Sequence, residues 1–293
     1  MPDDPIQPGR AERAAPRAQW PRPRHRTFHA YNVSLAKCGT RSMAGIFANY
    51  RSLHEYLLPS TVRKVARWQR GEMSDSEFRE FIRWRDAYNS LDIDSSSFNC
   101  YYVNVLVEEF PDARFVFVMR DCFSWLDSLL NMVFFGASLR PEYMLEDYMQ
   151  KLLGPAFGVE LAQDENEMQA RLPAMVEHAM EYWATHNDFV LRHLPPDRSL
   201  VLKLDDLAGS RPALASLVGI PADTLVVGMD RLNPARDKLH LLDTVSPTVV
   251  LDAFHRHCRP LMTTHFPEAT FEKFLERDHA GVVGAAFGGS GAQ

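Results

Sequence analysis

The chain reads as an α/β protein with a mostly parallel central sheet flanked by helices. Three observations predict it. Short apolar runs rich in β-branched and aromatic residues recur at Tyr31 to Leu35, Phe115 to Met119 and Leu200 to Leu204, each followed by residues of helical periodicity. Alternating strands and helices favour parallel pairing through right-handed crossovers. A glycine-containing loop, Ala36-Lys37-Cys38-Gly39-Thr40-Arg41-Ser42, joins the first run directly to a helix predicted over Thr40 to Tyr50.

That loop has the chemistry of an anion site. A helix N-terminus leaves backbone N–H groups unsatisfied and carries partial positive charge, which stabilises phosphate or sulfate. Lys37 adds a full charge, Gly39 permits close backbone approach, and Thr40 and Ser42 supply hydroxyl donors. The usual nucleotide triphosphatase loop places its lysine after the second glycine. Here Lys37 precedes Gly39, so this loop is of another type.

The second run, Pro111 to Asp121, reads as a turn, a fully buried strand and an arginine at the strand's carboxyl end, Arg120. Arginine offers a planar fork suited to bidentate phosphate binding. If Asp121 or Ser124 opens the next helix, Ser128 lies one to two turns in, where it can converge with Arg120 on one anion. Ligands of open α/β sheets bind outside the carboxyl ends of the strands, and both motifs fall there.

With these residues in view, the chain resembles the sulfotransferases that use 3′-phosphoadenosine 5′-phosphosulfate (PAPS). Their Lys-x-Gly-Thr loop matches Lys37 to Thr40, and their Arg with a Ser eight positions later matches Arg120 and Ser128. The form Lys37-Cys38-Gly39-Thr40-Arg41 is most similar to the heparan-type and bacterial carbohydrate or natural-product members. Tyr182-Trp183, the run Leu200 to Leu207 with its acidic pair, and Cys258 to Pro267 resemble further family segments, so the likeness spans about Phe28 to Leu275.

The resemblance implies a P-loop-containing, sulfotransferase-like fold with helical insertions. It implies an enzyme that passes a sulfuryl group from PAPS to a hydroxyl, less readily an amine, of a small-molecule or sugar-containing acceptor, leaving 3′-phosphoadenosine 5′-phosphate (PAP), without a metal. Lys37, Cys38, Gly39, Thr40, Arg41 and Ser42 would bind the 5′-phosphosulfate, with Lys37 on the bridging oxygen, and Arg120 with Ser128 the 3′-phosphate. Asn233, Arg236 and Lys238 fall where the family places a late basic loop, which puts Arg236 and Lys238 among the donor-binding candidates. The proton sink is expected from His54-Glu55, with Glu55 favoured over His54. The phenol-type enzymes carry a later histidine, whereas the matching stretch here, Leu91 to Ser97, has Asp92 and Asp94 instead. A P-loop small-molecule kinase and a non-catalytic nucleotide binder are the alternatives.

Composition fits one domain. A chain of 293 residues with 46% hydrophobic content can bury a large core. Residues 1–26 read as a disordered arm rich in proline and arginine, residues 27–279 as the domain, and residues 280–293 as a glycine-rich flexible tail. The arm holds six arginines against Asp3, Asp4 and Glu12, so the rest of the chain is near −9 when the whole is −6. Such a balance argues against nucleic acid as a partner. No run of eighteen apolar residues marks a membrane span, and no apolar segment near Met1 marks a secretory signal.

Cys38, Cys100, Cys122 and Cys258 show neither metal spacing nor a Cys-x-x-Cys pair, which points to reduced thiols and a cytoplasmic protein. Lys37 and the helix terminus are expected to depress the Cys38 pKa. The run His255-Arg256-His257-Cys258 invites a metal reading, but a helix places His257 away from the other two, so no metal is expected. Thr61 to Tyr88 and Pro141 to Val190 read as helical insertions shaping an acceptor cleft, the latter with a core stripe through Met175, Met180 and Trp183. Asp205 is expected to cap the helix after its strand.

Overall fold

The computed structural model describes residues 25–136, 165–229 and 241–276. Five strands form one sheet: β1 (Ala30–Asn32), β2 (Ser52–His54), β3 (Ile93–Ser95), β4 (Arg114–Met119) and β5 (Ser199–Lys203). Their order is β2-β3-β1-β4-β5, and every neighbouring pair is parallel. The chain runs from β1 to the edge at β2, returns through β3, then crosses to the other side of β1 for β4 and β5. The winding therefore reverses at β1, the position where doubly wound sheets open a crevice.

Side-chain alternation decides which helices cover which face. Along β4, Phe115, Phe117 and Met119 point into one core, and Val116 and Val118 into the other. The first core packs under α4 (Val103–Glu109), α5 (Cys122–Gly136) and the long α6 (Glu165–His193), where Trp125 and Trp183 are wholly buried. The second packs under α1 (Thr40–Ile46) and α7 (Arg211–Val218) through Met43, Ile46, Leu214 and Val218. Burial of aromatic and aliphatic groups on this scale, at roughly 25 cal/mol per Å2 of apolar surface, is the main stabilising term.

Several sequence expectations shift. The first strand closes at Asn32 and α1 at Ile46 rather than Leu35 and Tyr50. The first helical insertion is two helices, α2 (Leu58–Gln69) and α3 (Asp75–Asn89), because Ser74 and Glu77 form a capping box that starts a new helix. Asp205 does not cap: it lies exposed within a 3-10 turn, Leu204–Gly209, whose first residue follows Lys203 without a side-chain cap. The C-terminal part runs through Pro247–Ala253, a π-helical stretch Phe254–Cys258, and Arg259–His265.

The folded part reaches back at least to Arg26, which donates to the Leu91 carbonyl at 2.7 Å and to Asp86. Residues 1–24 of the expected arm, the whole of the expected tail at 280–293, and residues 277–279 before it lie outside the described residues. Among the described residues no helix is long and apolar enough to cross a membrane.

Candidate active site at the carboxyl edge of the sheet

The connection from β1 to α1 is shaped by two left-handed residues, Lys37 at φ 67° and Gly39 at φ 75°. Gly39 is required twice over. Its backbone lies where a Cβ is disfavoured, and a Cβ there would stand 2.8 Å from the Leu204 side chain. The first amides of α1, at Thr40, Arg41 and Ser42, precede the first intrahelical bond, in which the Met43 N–H donates to the Gly39 carbonyl at 2.8 Å. Thr40 and Ser42 are buried, Lys37 and Gly39 half-buried, and Arg41 exposed.

Cys38 is fully buried beneath the loop. Burial pushes its thiol up to about 12, outweighing the opposing charges of Arg120 and Lys37. The expected depression does not occur, since desolvation of a thiolate exceeds two partly screened cations. Cys38 is part of the packing beneath the loop.

The Arg120 motif meets this loop directly. Arg120 Nη1 donates to the Lys37 carbonyl at 3.4 Å, and Nε donates to Ser124 Oγ at 2.9 Å. Asp121 caps α5 by accepting from the Ser124 N–H at 2.9 Å. Ser128 lies one turn beyond Ser124 on the same helix face, half-buried. Two buried indoles fasten the motifs from below: Trp125 donates to the Ala36 carbonyl at 2.9 Å, and Trp183 to the Arg120 carbonyl at 3.1 Å.

At the end of β2, His54 Nε2 stands 3.1 Å from Thr40 Oγ1 and 3.7 Å from Glu55 Oε1. The β1–α1 loop and the His54-Glu55 pair are therefore contiguous. Glu55 has φ 57°, and its N–H donates to the Ser95 carbonyl at 3.1 Å. Its carboxylate accepts from Ser96 Oγ at 2.7 Å, Ser97 Oγ at 2.7 Å and the Ser97 N–H at 3.1 Å.

Beneath lies a buried polar layer. Asn32 donates to Ser95 Oγ at 2.9 Å, Ser95 Oγ to the Thr40 carbonyl at 2.6 Å, and Asn99 to the Asn32 carbonyl at 3.0 Å. Ser34 accepts from the Val118 N–H at 2.7 Å, linking β1 to β4. Arg85 forms a buried ion pair with Asp94, and Asp92 accepts from the Arg51 N–H at 2.9 Å, so both aspartates that stand in place of a histidine are structural. Burial opposes the Arg85 charge, but Asp94 outweighs it and the guanidinium pKa rises.

Of the residues expected in the site, the fold brings Lys37 to Ser42, His54, Glu55 and Arg120 to one edge. Sequence reasoning missed Ser96, Ser97 and Ser124; the only signal was a serine run directly after a strand end. Arg236 and Lys238, with Asn233, lie outside the described residues. In the His255 to Cys258 run, His257 bonds Glu177 at 2.6 Å while Cys258 is buried and donates to the Met180 carbonyl at 3.5 Å. All four cysteines are buried thiols outside any disulfide.

A family model described as a sulfotransferase domain matches residues 32–219, well over half the chain, including the β1–α1 loop, the His54-Glu55 pair, Arg120 and Ser128. Among solved structures, a sulfotransferase from Alicyclobacillus acidocaldarius is similar at 12% identity over 80% of this chain and 94% of its own, with a TM-score of 0.41. The sulfotransferase domain of the curacin biosynthetic pathway is 13% identical over 78% of this chain and 83% of its own, with a TM-score of 0.39. That of the Synechococcus PCC 7002 olefin synthase is 13% identical over 86% of this chain and 92% of its own, with a TM-score of 0.36. No curated protein sequence matches the chain. The match of the family model to residues 32–219, which contain the β1–α1 loop, Arg120 and the His54-Glu55 pair, places this chain in the sulfotransferase domain family.

Proposed function

We propose that the protein transfers a sulfuryl group from PAPS to a hydroxyl of a small-molecule or sugar-containing acceptor, releasing PAP. The observation that carries this reading is the hydrogen bond from Arg120 to the Lys37 carbonyl, which holds two anion-binding motifs side by side at the carboxyl edge. A single anion loop suits any phosphate ester; two adjacent ones suit a nucleotide phosphorylated at both 5′ and 3′ positions.

The residues fit the donor. The Thr40, Arg41 and Ser42 amides would hold the 5′-phosphate, Lys37 would neutralise charge developing on the bridging oxygen, and Arg120 with Ser124 and Ser128 would line the 3′-phosphate side. Sulfuryl transfer, like phosphoryl transfer, needs positioning and electrostatic stabilisation more than covalent catalysis. The proton of the attacking hydroxyl would go to the His54-Glu55 pair, which adjoins the loop through Thr40.

Calorimetric titration with PAP tests the reading, with ATP and 5′-AMP as controls. PAP is expected to bind at least tenfold tighter than 5′-AMP, and Arg120→Ala to remove that margin, since a charge-assisted hydrogen bond contributes about 1.5–3 kcal/mol. Equal binding of all three nucleotides would sink the 3′-phosphate assignment.

A further inference from the structure

The β1–α1 loop and Arg120 both lie where the sheet stops holding the backbone. The ladder between β4 and β5 ends at Met119 and Lys203, one residue before Arg120. The pairing of β1 with β4 ends at Asn32 and Val116, with one further bond from the Val33 N–H to the Val116 carbonyl, three residues before Ala36. A carbonyl held against the core beyond the ladder needs another donor. Two indoles supply one each: Trp183 Nε1 donates to the Arg120 carbonyl at 3.1 Å, and Trp125 Nε1 to the Ala36 carbonyl at 2.9 Å.

The two rings are rigid props. Both are wholly buried, and an indole carries a donor and no acceptor, so the direction of its N–H is fixed once the ring is packed. Trp125 stacks on Tyr182 with ring centres 6.1 Å apart and planes within 10°, and the Tyr182 hydroxyl lies 2.7 Å from that of Tyr101. Trp183 follows Tyr182 along α6, and successive helical residues diverge by about 100°, so the two neighbours reach different motifs. In this way α6 braces the β1–α1 connection through Tyr182 and Trp125, and the Arg120 backbone through Trp183. The Arg120 guanidinium is in turn aimed by Ser124 Oγ at 2.9 Å and the Lys37 carbonyl at 3.4 Å. Loss of the indole bond leaves those two contacts in place and frees the backbone that carries them.

Resting on the sulfuryl-transfer reading above, we propose that Trp183 and Trp125 are positioning residues, one for each phosphate of the donor. Trp183 sets Arg120 for the 3′-phosphate, and Trp125 sets the β1–α1 loop for the 5′-phosphosulfate. Each N–H is engaged by a carbonyl behind its motif, so the indole acts on affinity through backbone placement and not by contact with the nucleotide. Groups that bind a ligand work only when such supports hold them within about 0.5 Å of the productive geometry. Because each indole serves one motif, single substitutions separate the two ends of the donor.

Calorimetric titration of the full-length protein with PAP, 5′-AMP and 3′-AMP tests this, the last by competition against PAP, since the two monophosphates report the two ends separately. Trp183→Phe and Trp125→Phe each keep a buried ring and remove the N–H. Trp183→Phe is expected to weaken PAP and 3′-AMP by about three- to tenfold, the usual contribution of one neutral hydrogen bond, with 5′-AMP within about twofold of wild type. Trp125→Phe is expected to weaken PAP and 5′-AMP by a similar factor and to spare 3′-AMP. Equal weakening of all three nucleotides by either variant, or no weakening, overturns the proposal, because a merely structural indole loosens the whole site or nothing. A wild-type protein that binds PAP no tighter than 5′-AMP overturns the donor reading, and this inference falls with it. Should either phenylalanine variant fail to fold, benzothienylalanine at the same position, which replaces the indole N–H by sulfur at nearly constant shape, carries the same comparison.

Discussion

The same sheet carries two histidine–carboxylate pairs at opposite edges, and they are built differently. At the amino edge, Asp86 Oδ1 accepts from Tyr31 at 2.7 Å, Arg26 at 2.7 Å and His29 at 2.9 Å. Burial pushes the Asp86 carboxyl up, but His29, Arg26 and the Tyr31 hydroxyl outweigh it and hold it below the ordinary carboxylate range. At the carboxyl edge, Glu55 is held by neutral donors, and its histidine stands off at 3.7 Å beside the anion loop. The first pair is closed around its own counter-charge and fastens the start of β1 to α3. The second holds its carboxylate by the Ser96 and Ser97 hydroxyls and the Ser97 N–H, with its imidazole the more exposed member at 34% against 16%. A histidine near a carboxylate is therefore no sign of function by itself; the partner set and the edge decide.

Substitutions that separate the edges sharpen the contrast. The largest expected effect is on chemistry: Lys37→Ala should lower turnover by about 10²–10³-fold, the loss typical for removing a stabiliser of developing charge, with the thermal midpoint nearly unchanged. His29→Ala should do the reverse, sparing turnover while lowering the midpoint. If His29→Ala abolished PAPS turnover with its fold intact, the division into a structural and a chemical edge would be wrong.

Next in size, Asp86→Asn should destabilise by about 2 kcal/mol, since it removes a carboxylate accepting charge-assisted bonds; urea unfolding measures this. Gly39→Ala should cost about 1–2 kcal/mol for its left-handed backbone, with the Leu204 side chain shifting to admit the methyl group, again read from urea midpoints. The smallest effect is a pH dependence. Because the folded-state pKa of Asp86 lies below its unfolded value of about 3.9, its contribution is present above that pH and is lost as the pH falls toward the folded-state value. Wild-type stability should therefore drop more steeply than that of Asp86→Asn between about pH 5 and pH 3. Parallel slopes would show that Asp86 is not the linked group.

Local signals were legible in the chain and non-local ones were not. The loop Lys37 to Ser42 and the strand before Arg120 are written in consecutive residues, because glycine placement, helix starts and apolar runs act over a few positions. The short edge strand β2 left no such mark: its burial is partial, so no apolar run announces it. The break between α2 and α3 was readable in Ser74 and Glu77 but was masked by the continuous apolar spacing around it. Asp205 reads as a cap in the chain but sits in an exposed turn, because a capping residue and a turn residue look alike until the backbone geometry is known.

Sequence alone determined the α/β class, the glycine loop ahead of the first helix, the arginine at the end of a buried strand and the presence of His54-Glu55 after the first helix. Tertiary structure alone decided that Arg120 reaches the Lys37 carbonyl across 83 positions, that burial raises the Cys38 thiol pKa, and that Ser96 and Ser97 close on Glu55 from 41 and 42 positions away. The reason is physical: a motif is set by its neighbours along the chain, whereas burial and hydrogen-bond saturation are set by what parallel strand pairing brings beside it.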